Sequence, residues 1–156
     1  MRPGGESADQ RESDRVAPAR VAFDRLIPSD VREIEPIVEQ VTRQCRELEL
    51  SPRQCALNVP VALTEALSNA ILRGNRGNRE KHVRVRAMVS DSALVLEVAD
   101  EGAGFDLDAC TVDSTSPENI EREDGRGLFL MRSLMDRVER FDDDARNVVR
   151  LTLRRS

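Results

Sequence analysis

The spacing of apolar and polar residues changes period several times along this chain, and each change predicts a new element. In "RVAFDRLI" (20–27), Val21, Phe23, Arg25 and Ile27 alternate with Ala22, Asp24 and Leu26. That period of two predicts a short strand, ended by Pro28 and Ser29. Asp30 then stands where it can cap a helix whose apolar residues Ile34, Ile37, Val38, Val41, Cys45 and Leu48 recur at three- and four-residue steps. Ser51 followed by Pro52 is a second helix start, and Cys55, Val59, Ala62, Leu63, Ala66, Leu67, Ala70 and Ile71 carry that helix to about Leu72. Pro60 lies inside it, where it kinks or splits a helix.

"RGNRGNRE" breaks the pattern. Val83, Val85, Ala87 and Val89 then share one face, "DS" turns, and Leu94, Leu96 and Val98 share another, which predicts an antiparallel hairpin. Residues 107–124 are polar, aperiodic and interrupted by Pro117, and read as a long loop. A helix with Leu128, Met131, Leu134, Met135 and Val138 inward follows. The strand "NVVRLTLRR" comes last, alternating at Val149, Leu151 and Leu153. This order predicts an α+β fold, a two-layer sandwich of a mixed, mostly antiparallel sheet with helices on one face.

Composition narrows the picture. A chain of 156 residues suits one domain, here 19–156, behind a polar tail at 1–18 that lacks apolar periodicity and reads as disordered. With no Trp or Tyr and only four Phe, the core has to be aliphatic. The formal net charge of −5 argues against a reader of nucleic-acid backbones, which needs a basic stripe. Neither a membrane-spanning run nor the apolar core of a signal peptide is read in the chain, so a cytoplasmic protein is expected. Cys45, Cys55 and Cys110 have no C-x-x-C spacing, which indicates neither a disulfide framework nor a zinc site.

Three stretches could carry chemistry. In "VALTEALSNAILRGN", Glu65, Asn69 and Arg73 lie four residues apart and project from one helical face beside Thr64 and Ser68. They form either a solvated face or a site on an otherwise apolar helix. In "VADEGAGFD", Asp100 ends an apolar strand and Gly102 and Gly104 follow. This is either an Asp-Gly turn or a pocket in which the carboxylate accepts from an exocyclic amino group and the glycines let a flat ring approach the backbone. In "DGRGLFLMRSLMD", Gly125 and Gly127 bracket Arg126 where a helix starts, although glycine costs about 1 kcal/mol relative to alanine inside one. The pair is either a flexible helix entry or an anion site at a helix N-terminus.

Taken in this order, the three stretches resemble the GHKL ATP-binding superfamily of gyrase, histidine kinases and MutL. Within it, "ALTEALSNAILRGN", "VADEGAGFD" and "GRGLFLMRSLMD" look like the partner-switching anti-sigma factor serine/threonine kinases. The resemblance covers about residues 20–155. It implies the Bergerat-type fold, ATP and Mg2+ as cofactors, Asn69 as the magnesium residue, Glu65 as general base and Asp100 as adenine reader. It makes Gly102 and Gly104 the walls of the base pocket and 107–124 the ATP lid. Gly125, Arg126, Gly127 and Leu128 become phosphate contacts. Arg73 stands where relatives often carry histidine or another phosphate- or ribose-facing group. Of Arg122 and Arg126, either could neutralise the transferred phosphoryl group, and Arg126 is favoured because it is fixed beside the glycines.

The activity so implied is phosphorylation of an anti-anti-sigma protein of STAS type, together with binding of a sigma factor. Homodimers are common among such proteins and are expected here on that ground alone. The rival reading is a non-catalytic ATP-sensing module that controls its partner by affinity. Glu65 speaks for catalysis, since a pure sensor needs Asn69 and Asp100 but no base. A histidine kinase catalytic domain is disfavoured, because no histidine-bearing helix precedes the Asn69 helix and His82 is the chain's one histidine.

Overall fold

The computed structural model describes residues 20–102 and 123–155, and for 123–125 the backbone alone. Strand β1 (Arg20–Pro28) leads through Asp30, whose carboxylate accepts from the Arg32 N–H, into a 3-10 turn and helix α1 (Ile34–Glu47). The second helix opens on a reciprocal cap. The Gln54 N–H donates to Ser51 Oγ at 3.1 Å and the Ser51 N–H donates to Gln54 Oε1 at 3.2 Å. Its regular part is α2 (Val59–Asn69), flanked by π-helical turns at Gln54–Asn58 and Ala70–Gly74. Pro60 has no N–H for the ladder, and the first widened turn lies immediately before it. The stretch Gln54–Gly74 is apolar enough to cross a membrane by length and mean hydropathy, which the sequence reading did not anticipate; here it is the core helix.

Strands β2 (His82–Val89) and β3 (Ala93–Asp100) form the expected hairpin, and helix α3 (Glu123–Leu134) packs against α2. The chain then departs from expectation. Helix α3 stops at Leu134, whose carbonyl accepts from Asn58 Nδ2 at 2.6 Å. Val138 therefore lies not on that helix but in an unforeseen strand, β4 (Arg137–Asp143), which pairs with β5 (Arg146–Arg154). The five strands run β1-β2-β3-β5-β4, and every pairing among the described residues is antiparallel.

Helices cover one face of the sheet. Val83, Val85, Ala87, Leu94, Leu96, Val98, Val149, Leu151 and Leu153 point into that layer and meet Val41, Leu63, Leu67, Leu128 and Met131 in one aliphatic core. The other face carries a row of alternating charge across all five strands: Asp24, Arg86, Glu97, Arg150 and Glu139 stand side by side in the pairing register. Arg150 reaches Glu97 at 2.8 Å and lies over the Phe141 ring at 4.5 Å, and Arg84 holds Asp24 at 2.7 Å. Each such cross-strand pair is worth roughly 0.2–1 kcal/mol and keeps a helix-free face solvated.

The β4–β5 loop is two residues long, and both Asp144 (φ 52°) and Ala145 (φ 65°) are left-handed, as a type I′ hairpin turn requires. An alanine there carries a Cβ penalty of about 1–2 kcal/mol that glycine lacks. Ala145→Gly is expected to stabilise the fold by about 1 kcal/mol, or ~2–4 °C in Tm by thermal melt. A lowered Tm would contradict this reading of the turn.

Candidate functional site

The helix from Val59 to Gly74 carries both halves of the site. At its middle, Glu65 and Asn69 sit one turn apart and are half-buried, not solvated, because α3 packs over them. The contact residue from α3 is Gly127. A Cβ built there would stand 2.7 Å from Glu65 Oε1 and 3.7 Å from Asn69 Nδ2. Gly127 is thus the place where α3 comes close enough to leave room only for the carboxylate.

This revises the reading of the two glycines as the helix opening. Helix α3 already begins at Glu123, so Gly125 lies in the first turn and Gly127 one turn deeper. A helix start leaves about four N–H groups unpaired, and here they end near Gly125. The N–H groups of Gly127 and Leu128 belong to the helical ladder, and the Leu128 side chain is buried in the core. Arg126 is exposed, as is Arg73 in the π-turn after Asn69.

The second half is built where the helix ends. Asp100 has the parity of the inward residues of β3 and is 3 % exposed. Its carboxylate lies against Gly74, where any Cβ would overlap it. Gly102 in turn lies against the Gly74 carbonyl, which fills the space of a side chain at 102. The missing Cβ of Gly102 is therefore explained by this internal contact with the helix, where the sequence suggested the approach of a ring. Asn75, buried beside them, donates to Ser29 Oγ (2.7 Å) and the His82 carbonyl (3.1 Å) and accepts from the Glu101 N–H (2.8 Å). One amide so ties β1, β2 and the end of β3 together.

Asp100 Oδ1 accepts from the Gly102 N–H at 2.9 Å and from Asn147 Nδ2 at 3.3 Å, while Oδ2 receives no donor among the described residues. Burial raises the Asp100 carboxyl above the usual carboxylate range, against the two hydrogen bonds and the nearby cations Arg140 and Lys81 that lower it. Asn147, opposite Asp100 in the β3–β5 register, also donates to the Gly102 carbonyl and accepts from Arg140 at 2.6 Å.

Gly74, Asn75, Asn147 and Arg140 were not singled out from sequence. For Asn147 a signal existed, since it continues the inward alternation of Val149, Leu151 and Leu153 as a polar residue. Gly74 had none, because its need for a bare Cα is set by a side chain 26 residues away. Gly104, Arg122, Cys110, the tail at 1–18 and the loop at 107–122 lie outside the described residues. Among the described residues no group of three His, Cys, Asp or Glu could hold a metal alone. The half-buried oxygens of Asn69 and Glu65 are a sparse, hard donor set, which fits Mg2+ when phosphates and water supply the remaining ligands.

The family model described as a histidine kinase-like ATPase domain matches residues 27–153. Among curated proteins, the serine-protein kinase RsbW of Listeria monocytogenes is 28% identical over 97 residues, covering 59% of this chain and 62% of that protein. The anti-sigma F factors of Bacillus thuringiensis and Bacillus mycoides are each 30% identical over 112 residues, covering 70% of this chain and 65% of theirs. The matched stretch thus spans a little under two thirds of these relatives.

The raised Asp100 carboxyl has a consequence for stability. The folded chain holds that proton more tightly than the unfolded chain, so this group's contribution is present below the carboxylate range and is lost as pH rises through the folded value. Asp100→Asn can keep both hydrogen bonds at its amide oxygen and removes that loss. Its Tm relative to wild type is expected to rise as pH increases from about 4, and to level off once the folded carboxyl has ionised. Thermal melts across that range check it, and a difference that falls with pH would contradict the assignment.

Proposed function

Because the chain belongs to the histidine kinase-like ATPase family, we propose that it is an ATP- and Mg2+-dependent protein serine/threonine kinase of the anti-sigma type. It passes the γ-phosphoryl group of ATP to a hydroxyl on an anti-anti-sigma protein of STAS type and holds a sigma factor, as a homodimer in the cytoplasm. The names of its relatives, a serine-protein kinase and anti-sigma F factors, support this reading. The observation that carries it is the Glu65 carboxylate beside Asn69, enclosed by Gly127 of the facing helix. An ATP sensor has no use for a carboxylate at that corner.

In this reading Asp100 accepts the adenine amino group through Oδ2, since Oδ1 is already taken by Gly102 and Asn147. GTP would set an oxygen against the carboxylate, so ATP is preferred by about tenfold or more. Asn69 is the residue that would hold Mg2+, which when bound offsets the charge of the phosphates. Gly104, Gly125 and Arg126 complete the nucleotide contacts, with Arg73 at the rim. Glu65 takes the proton of the incoming hydroxyl as its oxygen bonds to the γ-phosphorus and the bond to ADP breaks.

Glu65→Gln keeps the shape of the side chain and cannot take a proton. The variant is expected to bind Mg-ATP and its protein partner like wild type, while transfer falls about 10²–10⁴-fold. Intact mass spectrometry of the partner, copurified from the host and incubated with ATP, reads this directly. Undiminished transfer by a folded variant would remove Glu65 as base, and no mass gain even with wild type would favour the ATP-sensing module.

A further inference from the structure

The mechanism leaves one buried polar connection unused. Arg140 has the inward parity of β4, yet it is a cation on the edge strand, and its side chain is only 26 % exposed. It donates to Asn147 Oδ1 at 2.6 Å. Both Nδ2 hydrogens of Asn147 are thereby turned to acceptors, one on Asp100 Oδ1 and one on the Gly102 carbonyl. All three polar positions of that amide are occupied, and only one orientation satisfies them: a flipped amide would set its oxygen against two oxygens and its N–H groups against a guanidinium.

We propose that Arg140 is a positioning residue for base recognition, acting through Asn147 to keep Asp100 an ionised acceptor with one oxygen, Oδ2, open to the ligand. The inference rests on the reading of Asp100 as the adenine contact. Among the described residues Arg140 bonds to Asn147 and not to Asp100 itself. It anchors the amide that occupies Oδ1, and it sets a positive charge close to a carboxylate that burial pushes toward the neutral form. A protonated Asp100 would be a donor at the position where the amino group of adenine needs an acceptor.

The charges around Asp100 come from several elements. Lys81 before β2 and Arg140 on β4 are the cations that act on it. Asp142 faces Arg140 at 3.2 Å and draws off part of its field. Next along β3, Glu101 meets His82 and Arg146, each at 3.9 Å. From the helix side the backbone of Gly74, which carries no charge, lies against the carboxylate.

The test is titration calorimetry of Mg-ATP and Mg-GTP against the full chain as a function of pH, for wild type, Arg140→Met, Arg140→Lys and Asp100→Asn. In wild type, ATP affinity is expected to fall as the pH drops through the Asp100 transition. Arg140→Met should move that midpoint to higher pH and lower the ATP-over-GTP ratio severalfold near pH 7, with the melting temperature little changed. Arg140→Lys, which keeps a donor and the charge, should restore most of both. Asn147→Thr supplies a hydroxyl that orients itself toward Asp100, so in that background Arg140→Met should cost less selectivity. Should Arg140→Met fail to fold, Arg140→Gln keeps a donor and drops the charge, and is expected to move the midpoint while retaining most of the selectivity. Wild-type midpoint and selectivity in a folded Arg140→Met, or a wild-type midpoint in Arg140→Gln where that variant is the one used, would overturn the proposal while a loss in Asp100→Asn leaves the adenine reading standing. An unchanged ratio in Asp100→Asn would remove both.

Discussion

The close approach of Gly74 to Asp100 and Gly102 is the constraint from which the rest of the site follows. A Cβ at Gly74 would overlap the carboxylate, and one at Gly102 would overlap the Gly74 carbonyl, so the end of the core helix and the end of β3 meet with no side chain between them. That contact fixes the helix along its own axis. Asn69 then stands one π-helical turn before Gly74, and Glu65 about 6 Å farther along, at 1.5 Å of rise per residue. A buried carboxylate acceptor lies at one end and a carboxylate–amide pair at the other, which in the proposed reading take the base and the phosphates. A nucleotide is built the same way, with a flat ring at one end and its charge at the other.

The helical layer and the bare face of the sheet divide the chemistry. On the bare face, partly exposed charges alternate strand by strand, and each pair contributes modestly. On the covered face one carboxylate is buried, and burial of a charge is costly unless hydrogen bonds and countercharge offset it. The Gly102 N–H, the Asn147 amide and, at one remove, Arg140 supply that offset. Part of the cost remains in the raised carboxyl of Asp100.

The sheet and its helices were largely legible in the sequence because period is a local signal. Val83 to Val89 and Leu94 to Val98 alternate cleanly and are buried as expected. Strand β4 was missed for an equally local reason. Its hairpin turns on Asp144–Ala145, without the Asn-Gly or Asp-Gly that announces a left-handed turn, and Val138 happens to continue the helical spacing of Met131 and Leu134. For the candidate site, the three stretches pointed to Glu65, Asn69 and Asp100, but the glycines that pack against Glu65 and Asp100 were hidden. Gly127 answers to Glu65 across two helices, and Gly74 answers to Asp100 across the layer; neither pairing leaves a trace in spacing.

In the proposed reading, the two ends of this helix grip one nucleotide. A crystal structure of the full chain with Mg2+ and a non-hydrolysable ATP analogue tests it most directly. The adenine amino group is expected within hydrogen-bond distance of Asp100 Oδ2, about 3 Å, with the phosphates at the corner formed by Glu65, Asn69 and Gly127. A cavity of about 600 Å³ lies away from these residues, between β1 and α1, lined by Phe23, Arg25, Gln40 and Arg43. A nucleotide seated there, with Asp100 Oδ2 unpartnered, would contradict the account.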